Sequence, residues 1–161
     1  MKNSHFSKDV QEFLYLLGKY NVEYLIVGGE AVIYYGLVRL TGDIDIFFNP
    51  SAKNVNKLYE ALNEFWEGDI PDIQNIEDLS ELGSIIQFGV PPNRIDILNQ
   101  IDNVIFSTCW KNKKTEHIIF KNKSIPVHYI GLAELIKNKE SLKRNKDLED
   151  LKYLKKISDK K

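Results

Sequence analysis

Cysteine occurs once, at Cys109, so no disulfide can close within the chain. That excludes a disulfide-stapled scaffold and leads us to expect a reducing, cytoplasmic setting. Histidine is almost as scarce. His5, His117 and His128 stand far from one another and offer no zinc-ligand spacing with Cys109. No apolar run is long enough to span a bilayer, and residues 1–4 are not followed by the apolar stretch of a signal peptide, so neither a membrane partner nor export is expected. An excess of positive charge is missing too: 22 Lys and Arg face 23 Asp and Glu, a formal net charge of −1. A global basic field for nucleic acid is thereby excluded. Between Lys57 and Arg94 there is no basic residue at all, while Glu60, Glu64, Glu67, Asp69, Asp72, Glu77, Asp78 and Glu81 fall there. The plain reading is a surface bias, and within it the stretch 67–82 suits a cationic partner better than a nucleic acid. Internal repeats are absent.

What is present fits one domain. The 161 residues are 43% hydrophobic, enough for a sizeable core, and 28% charged. We expect a core over about residues 22–130 and a helical part over 131–161. Ser7 and Asp9 open a helix whose Val10, Phe13, Leu14 and Leu17 make one apolar stripe. A strand is expected over 23–27, a short buried helix ending at Gly36, and a second strand over 43–48. Asn49-Pro50-Ser51 then caps a helix carrying Val55, Leu58, Leu62 and Phe65. Residues 68–82 read as loop with room for a short helix, and strands over 84–90 and 94–98 pair antiparallel across Pro91-Pro92-Asn93. A short helix is expected over 102–109, a hairpin over 116–120 and 125–129, and two helices after Gly131. Leu132, Leu135 and Ile136 mark one of these; Leu148, Leu151, Leu154 and Ile157 mark the other, with a break near Arg144-Asn145-Lys146. The fold class expected is α+β (α/β): a twisted mixed sheet flanked by helices and closed by C-terminal ones.

The chain is organised around residues 24–48. The apolar run Leu25-Ile26-Val27 ends in Gly28-Gly29, and the next strand carries Asp43-Ile44-Asp45. Residues i and i+2 of a strand share a face, so both carboxylates point one way while Ile44 and Ile46 enter a core. Two like charges side by side repel unless a cation sits between them. Such a pair on a stiff strand suits a divalent metal, magnesium first and manganese as its substitute, in phosphate chemistry. The glycines supply a turn whose free N–H groups and positive helix end aim at an anion.

Arg94-Ile95-Asp96-Ile97-Leu98 repeats that texture. Asp96 shares neither isoleucine's face and so points to solvent, a cleft or a partner. As an edge-strand residue it would simply be exposed; beside the Asp43 strand it would complete three converging carboxylates. Three fit a two-metal site, in which the third also receives the proton of an attacking hydroxyl.

Gly-Gly, a short helix, Asp-x-Asp and a lone strand aspartate together resemble the nucleotidyltransferase fold of the DNA polymerase β superfamily. More narrowly, the chain resembles the small stand-alone nucleotidyltransferases related to aminoglycoside, lincosamide and toxin–antitoxin nucleotidyltransferases. The residues that carry the likeness are Gly28, Gly29, Ala31, Gly36, Arg39, Thr41, Asp43, Ile44, Asp45 and Asp96. A second block runs from Leu135-Ile136-Lys137-Asn138-Lys139 to Arg144-Asn145-Lys146-Asp147-Leu148-Glu149-Asp150. The resemblance implies transfer of a nucleoside monophosphate from an NTP, ATP the expected donor, to an acceptor hydroxyl on a small molecule or partner protein, with release of pyrophosphate. Asp43, Asp45 and Asp96 would hold Mg²⁺ or Mn²⁺ and carry catalysis. Gly28, Gly29, Arg39, Thr41, Lys139 and Arg144 would bind the nucleotide. An oligomer is compatible with it. Many relatives carry serine where Gly29 stands, and Glu30 follows the glycines at once. The same fold also serves as a non-catalytic, nucleotide-binding antitoxin or interaction module, which is the alternative expectation.

Two other classes fit less well. A haloacid-dehalogenase-type phosphatase also uses Asp-x-Asp but leaves the upstream glycines unexplained. A dinucleotide-binding reading of Gly28-Gly29 lacks the third glycine and the spaced acidic residue.

Overall fold

The computed structural model describes residues 5–160; residues 1–4, read above for a signal peptide, lie outside the described residues. The fold is α+β: a six-stranded mixed sheet that does not close on itself, with helices on both faces. In chain order come α1 (Lys8–Lys19), β1 (Tyr24–Val27), α2 (Gly28–Tyr34), β2 (Asp43–Phe48), α3 (Ala52–Phe65), a 3-10 turn at Ile76–Leu79 and β3 (Ile85–Phe88). After these follow β4 (Arg94–Leu98), α4 (Phe106–Lys111), β5 (Lys114–Phe120), β6 (Lys123–Tyr129), α5 (Leu132–Glu140) and α6 (Asn145–Ser158). The sheet order is β3-β4-β2-β1-β6-β5. The central pair that matters is β2 with β4, parallel, in the register Asp43↔Arg94 and Asp45↔Asp96.

Alternation along these strands divides the core in two. Ile44, Ile46 and Phe48 of β2, with Ile95 and Ile97 of β4, face one way and pack with Val10, Phe13, Leu14 and Leu17 of α1 and Val55, Leu58 and Leu62 of α3. Leu25, Val27 and Phe47 face the other way, with Ala31 and Val32 of α2, Phe106 and Cys109 of α4, Leu135 and Leu154. Asp43, Asp45 and Asp96 lie on this second side, at the end of the sheet that the helices leave open. Caps start the flanking helices where the sequence placed them: Ser7 Oγ accepts from the Val10 amide and Ser51 Oγ from that of Asn54. Asn54, buried, accepts from the Glu23 amide and donates to the carbonyls of Glu23 and Asn49, which ties the β2 exit to the β1 entry.

Three local expectations differ. The short helix expected over 102–109 begins at Phe106, because Asn103 takes a left-handed φ of 69° and closes a turn first. The strand expected over 84–90 is Ile85–Phe88, Gly89 turning out at φ 79°. On α6 the apolar stripe is buried only in part: Leu154 is buried and Leu151 and Ile157 half-buried, but Leu148 is 52% exposed, while Asp147 and Asp150 are buried. Their partner explains it, since the buried ammonium of Lys139 on α5 requires carboxylates rather than leucines opposite. The hairpin turn is tight, with Lys121 and Asn122 both at positive φ between β5 and β6. Among the described residues no helix is long and apolar enough to cross a membrane.

Candidate functional site

Gly28 begins α2 at φ 65°, the left-handed region where a side chain strains the backbone. A Cβ there would stand 2.2 Å from Asp45 Oδ2, so the missing side chain is the space the carboxylate occupies. At Gly29 a Cβ would meet Thr41 Oγ1 at 2.8 Å and the Arg39 guanidinium carbon at 3.6 Å. Serine could enter only by displacing Thr41, which accounts for the second glycine. Thr41 Oγ1 in turn lies 3.2 Å from the Asp43 carbonyl and 3.3 Å from its Oδ1. Glu30 is not among the residues that line the cleft: its side chain is buried and its carboxylate meets His5 Nε2 at 2.8 Å.

The three aspartates converge. One carboxylate oxygen from each of Asp43, Asp45 and Asp96 lies within 4.8 Å of the others, with Asp96 buried and the other two half-buried. The register places Asp45 beside Asp96, and Arg94 beside Asp43. Arg94 is the site residue that the sequence reading passed over. Its Nη2 donates to Asp43 Oδ2 at 2.6 Å and to Asp96 Oδ2 at 3.0 Å, while Nε donates to Asp96 Oδ1 at 2.9 Å. Gln87 Nε2 approaches Asp96 Oδ2 from β3 at 3.4 Å. The available signal was position: two residues before Asp96 on one strand, Arg94 shares its face.

Arg94 reaches two carboxylates of the three. Asp45 is left against the others, and burial, the charges of Asp43 and Asp96 and a hydrogen bond to the Asp96 carboxyl raise it to about 7, with Lys139 pulling weakly the other way. A carboxyl so raised marks a place short of positive charge. All the donors here are hard carboxylate oxygens on rigid strands, a set that suits magnesium or manganese. The residues present therefore fit such an ion.

A cleft of about 400 Å³ runs from Val27 and Gly28 over the aspartates and Arg94 to Lys139 and Arg144 on the opposite wall. The basic residues implied by the resemblance are all engaged. Lys139 Nζ, 3% exposed, donates to Asp147 Oδ1 at 2.9 Å and pairs with Asp150 Oδ2 at 3.2 Å. Arg39 pairs with the same Asp150, and Arg144 donates to Asp147 through Nε at 2.7 Å. Burial pushes the Asp147 carboxyl up, but the hydrogen bonds from Arg144 and Lys139 outweigh it and hold it at about 2. Arg144, its side chain 62% exposed, is the cation here that has room to meet a ligand. Arg39 and Thr41 fasten the 37–42 loop rather than opening toward the cleft.

At the far end, Asn99 donates to the carbonyls of Leu79 and Glu81 and accepts from the Gly83 amide. This pins the acidic segment to the end of β4, next to Gln100. Comparison with models of known protein families and with curated proteins finds no match.

Proposed function

We propose that this chain is a metal-dependent nucleotidyltransferase, acting in the cytoplasm, that moves a nucleoside monophosphate from an NTP, ATP in the first instance, to an acceptor hydroxyl. One observation carries the reading: Asp43, Asp45 and Asp96 converge beside the Gly28-Gly29 turn, in a cleft walled by Lys139 and Arg144. Asp43, Asp45 and Asp96 would hold Mg²⁺ or Mn²⁺. Such an ion, when bound, neutralises phosphate charge and makes the phosphorus a better electrophile. Gly28 and Gly29 let the backbone come close to the phosphates, and Arg144 faces their charge across the cleft. The acceptor oxygen forms its bond to the α-phosphorus as the bond to the bridging oxygen breaks. Pyrophosphate leaves, and the hydroxyl proton passes to the Asp96 carboxylate. The acceptor would enter past Ile85, Gln100 and Asp102, cleft-lining residues with no Lys or Arg among them, which suit a small cationic molecule or a basic stretch of a partner protein.

A second reading is a nucleotide-binding antitoxin or interaction module without turnover. The observation in its favour is Arg94, which supplies a cation to two of the three carboxylates. Incubation of the protein with α-labelled ATP, magnesium and a cell lysate separates the two. Label transferred to a small molecule, a protein or RNA, and lost in Asp43→Ala, supports transfer. Nucleotide bound with no label moved leaves the module.

A further inference from the structure

Arg94 spends Nε and Nη2 of its guanidinium inside the cleft, on Asp43 and Asp96. Two of its three contacts go to Asp96, two residues along the same strand, and the third crosses to β2 at Asp43. The side chain is 30% exposed and lines the cleft. Three carboxylates and one guanidinium leave the cluster short of positive charge, and the fork does not reach Asp45. A divalent ion bound by all three aspartates needs an oxygen of Asp96, and Arg94 now pairs with both of them as well as with Oδ2 of Asp43.

We propose that Arg94 is a tethered counter-cation of the aspartate site: it holds Asp43 and Asp96 together when no metal is bound, and a divalent ion enters by exchange, displacing the guanidinium from an oxygen of Asp96. This rests on the nucleotidyltransferase reading of the same carboxylates and adds how the site is regulated. The exchange makes the ion alone a weak ligand, because it must break a charge-assisted pair to bind. A polyphosphate changes that. The released guanidinium, still anchored beside Asp96, finds phosphate oxygens to pair with, so metal and nucleotide bind cooperatively. Arg94 is then a positioning residue that ties loading of the ion to the presence of the donor.

The test uses the wild-type protein and two variants, Arg94→Gln and Arg94→Lys, with Mn²⁺ binding followed by electron paramagnetic resonance, alone and with a non-hydrolysable ATP analogue. Loss of one charge-assisted contact predicts that Arg94→Gln binds Mn²⁺ alone about ten- to a hundredfold more tightly than wild type. Its gain from adding the nucleotide analogue should shrink by a similar factor. Arg94→Lys, a charge without the fork, should fall between. Mn²⁺ affinity in Arg94→Gln equal to or below that of wild type overturns the proposal. Should Arg94→Gln fail to fold, the wild type answers through the Arg94 Nε–H resonance, which must shift as Mg²⁺ is titrated. A resonance that stays put while Mg²⁺ binds also overturns it. If wild type, both Arg94 variants and Asp43→Asn all ignore Mn²⁺, with and without the analogue, the metal reading itself falls, and this proposal with it. That outcome is distinct from Mn²⁺ binding that is indifferent to Arg94.

Discussion

The Asp45 carboxylate lies in the space that a side chain at Gly28 would fill, Oδ2 coming within 2.2 Å of an ideal Cβ there. The strand-to-helix turn and the acidic site are thus one packed unit, not neighbours by accident. Gly28→Ala meets two costs at once: a left-handed φ of 65°, about 1 kcal/mol for a residue with a Cβ, and displacement of a half-buried carboxylate. We expect a loss of roughly 2–3 kcal/mol in denaturant unfolding, together with loss of divalent binding. Gly28→Ala that binds Mn²⁺ as wild type does would show that the two are not coupled.

Asp45 makes the site sensitive to pH. Its carboxyl titrates at about 7 in the folded protein against an ordinary 3.8. Between those values the folded state holds a proton that the unfolded chain has released, so stability contributed by this group falls as pH rises from 3.8 through 7. In chelator, Asp45→Asn removes that fall. The variant is expected to be more stable than wild type at pH 8, by on the order of 2 kcal/mol, and to converge with it near pH 4. A divalent ion competes with the same proton. Wild-type Mn²⁺ affinity should therefore climb as pH rises toward 7 and level off above it. A flat profile from pH 5.5 to 8 would contradict the assignment.

The strand half of this site was legible because a strand has a period of two. Asp43-Ile44-Asp45 and Ile95-Asp96-Ile97 can satisfy a buried isoleucine face only by turning their carboxylates the other way, and β2 and β4 do so in register. Arg94 escaped because an arginine opening a strand looks like any solvated residue; its meaning depends on Asp43, 51 positions away. Lys139 misled for the opposite reason. Set on a helix among polar residues it reads as a free cation, yet it is sealed between Asp147 and Asp150. Spacing along one helix says nothing of which face a second helix, after a break, will bring to it. Once those two aspartates take the inward positions, Leu148 must turn out, while Leu154 further along stays buried.

Asp147 behaves oppositely to Asp45. Fully buried and held at about 2 by Arg144 and Lys139, it contributes stability that is complete above 3.8 and lost as pH falls from 3.8 through 2. Asp147→Asn should flatten that acid limb while lowering stability at neutral pH by about 3 kcal/mol, since Lys139 keeps its charge with one carboxylate fewer. Chemical denaturation of the two proteins at pH 2.5, 4 and 7 reads both effects. Curves that stay parallel across those pH values would show that the carboxylate is not the titrating group.

Arg39 and Asp150 join the 37–42 loop to α6. The 37–42 loop alternates, Val38 and Leu40 standing 96% and 95% exposed while Arg39 reaches inward to α6 and Thr41 to Asp43. With so little apolar surface buried, the loop is held by polar tethers, and the 111-residue span from Arg39 to Asp150 is the longest of them. Asp150→Asn should raise amide exchange over residues 37–42, weaken nucleotide binding several-fold and leave Mn²⁺ affinity nearly unchanged. The double variant Arg39→Met/Asp150→Asn should be little worse than either single one, a coupling of about 1–3 kcal/mol. Exchanging the two charges, Arg39→Asp with Asp150→Arg, is not expected to rescue. The guanidinium would then stand where Asp150 now meets Lys139 Nζ at 3.2 Å, placing two cations together beneath the loop. A charge-exchanged protein as stable as wild type would mean that Lys139 relies on Asp147 alone and that Asp150 serves the loop and nothing else.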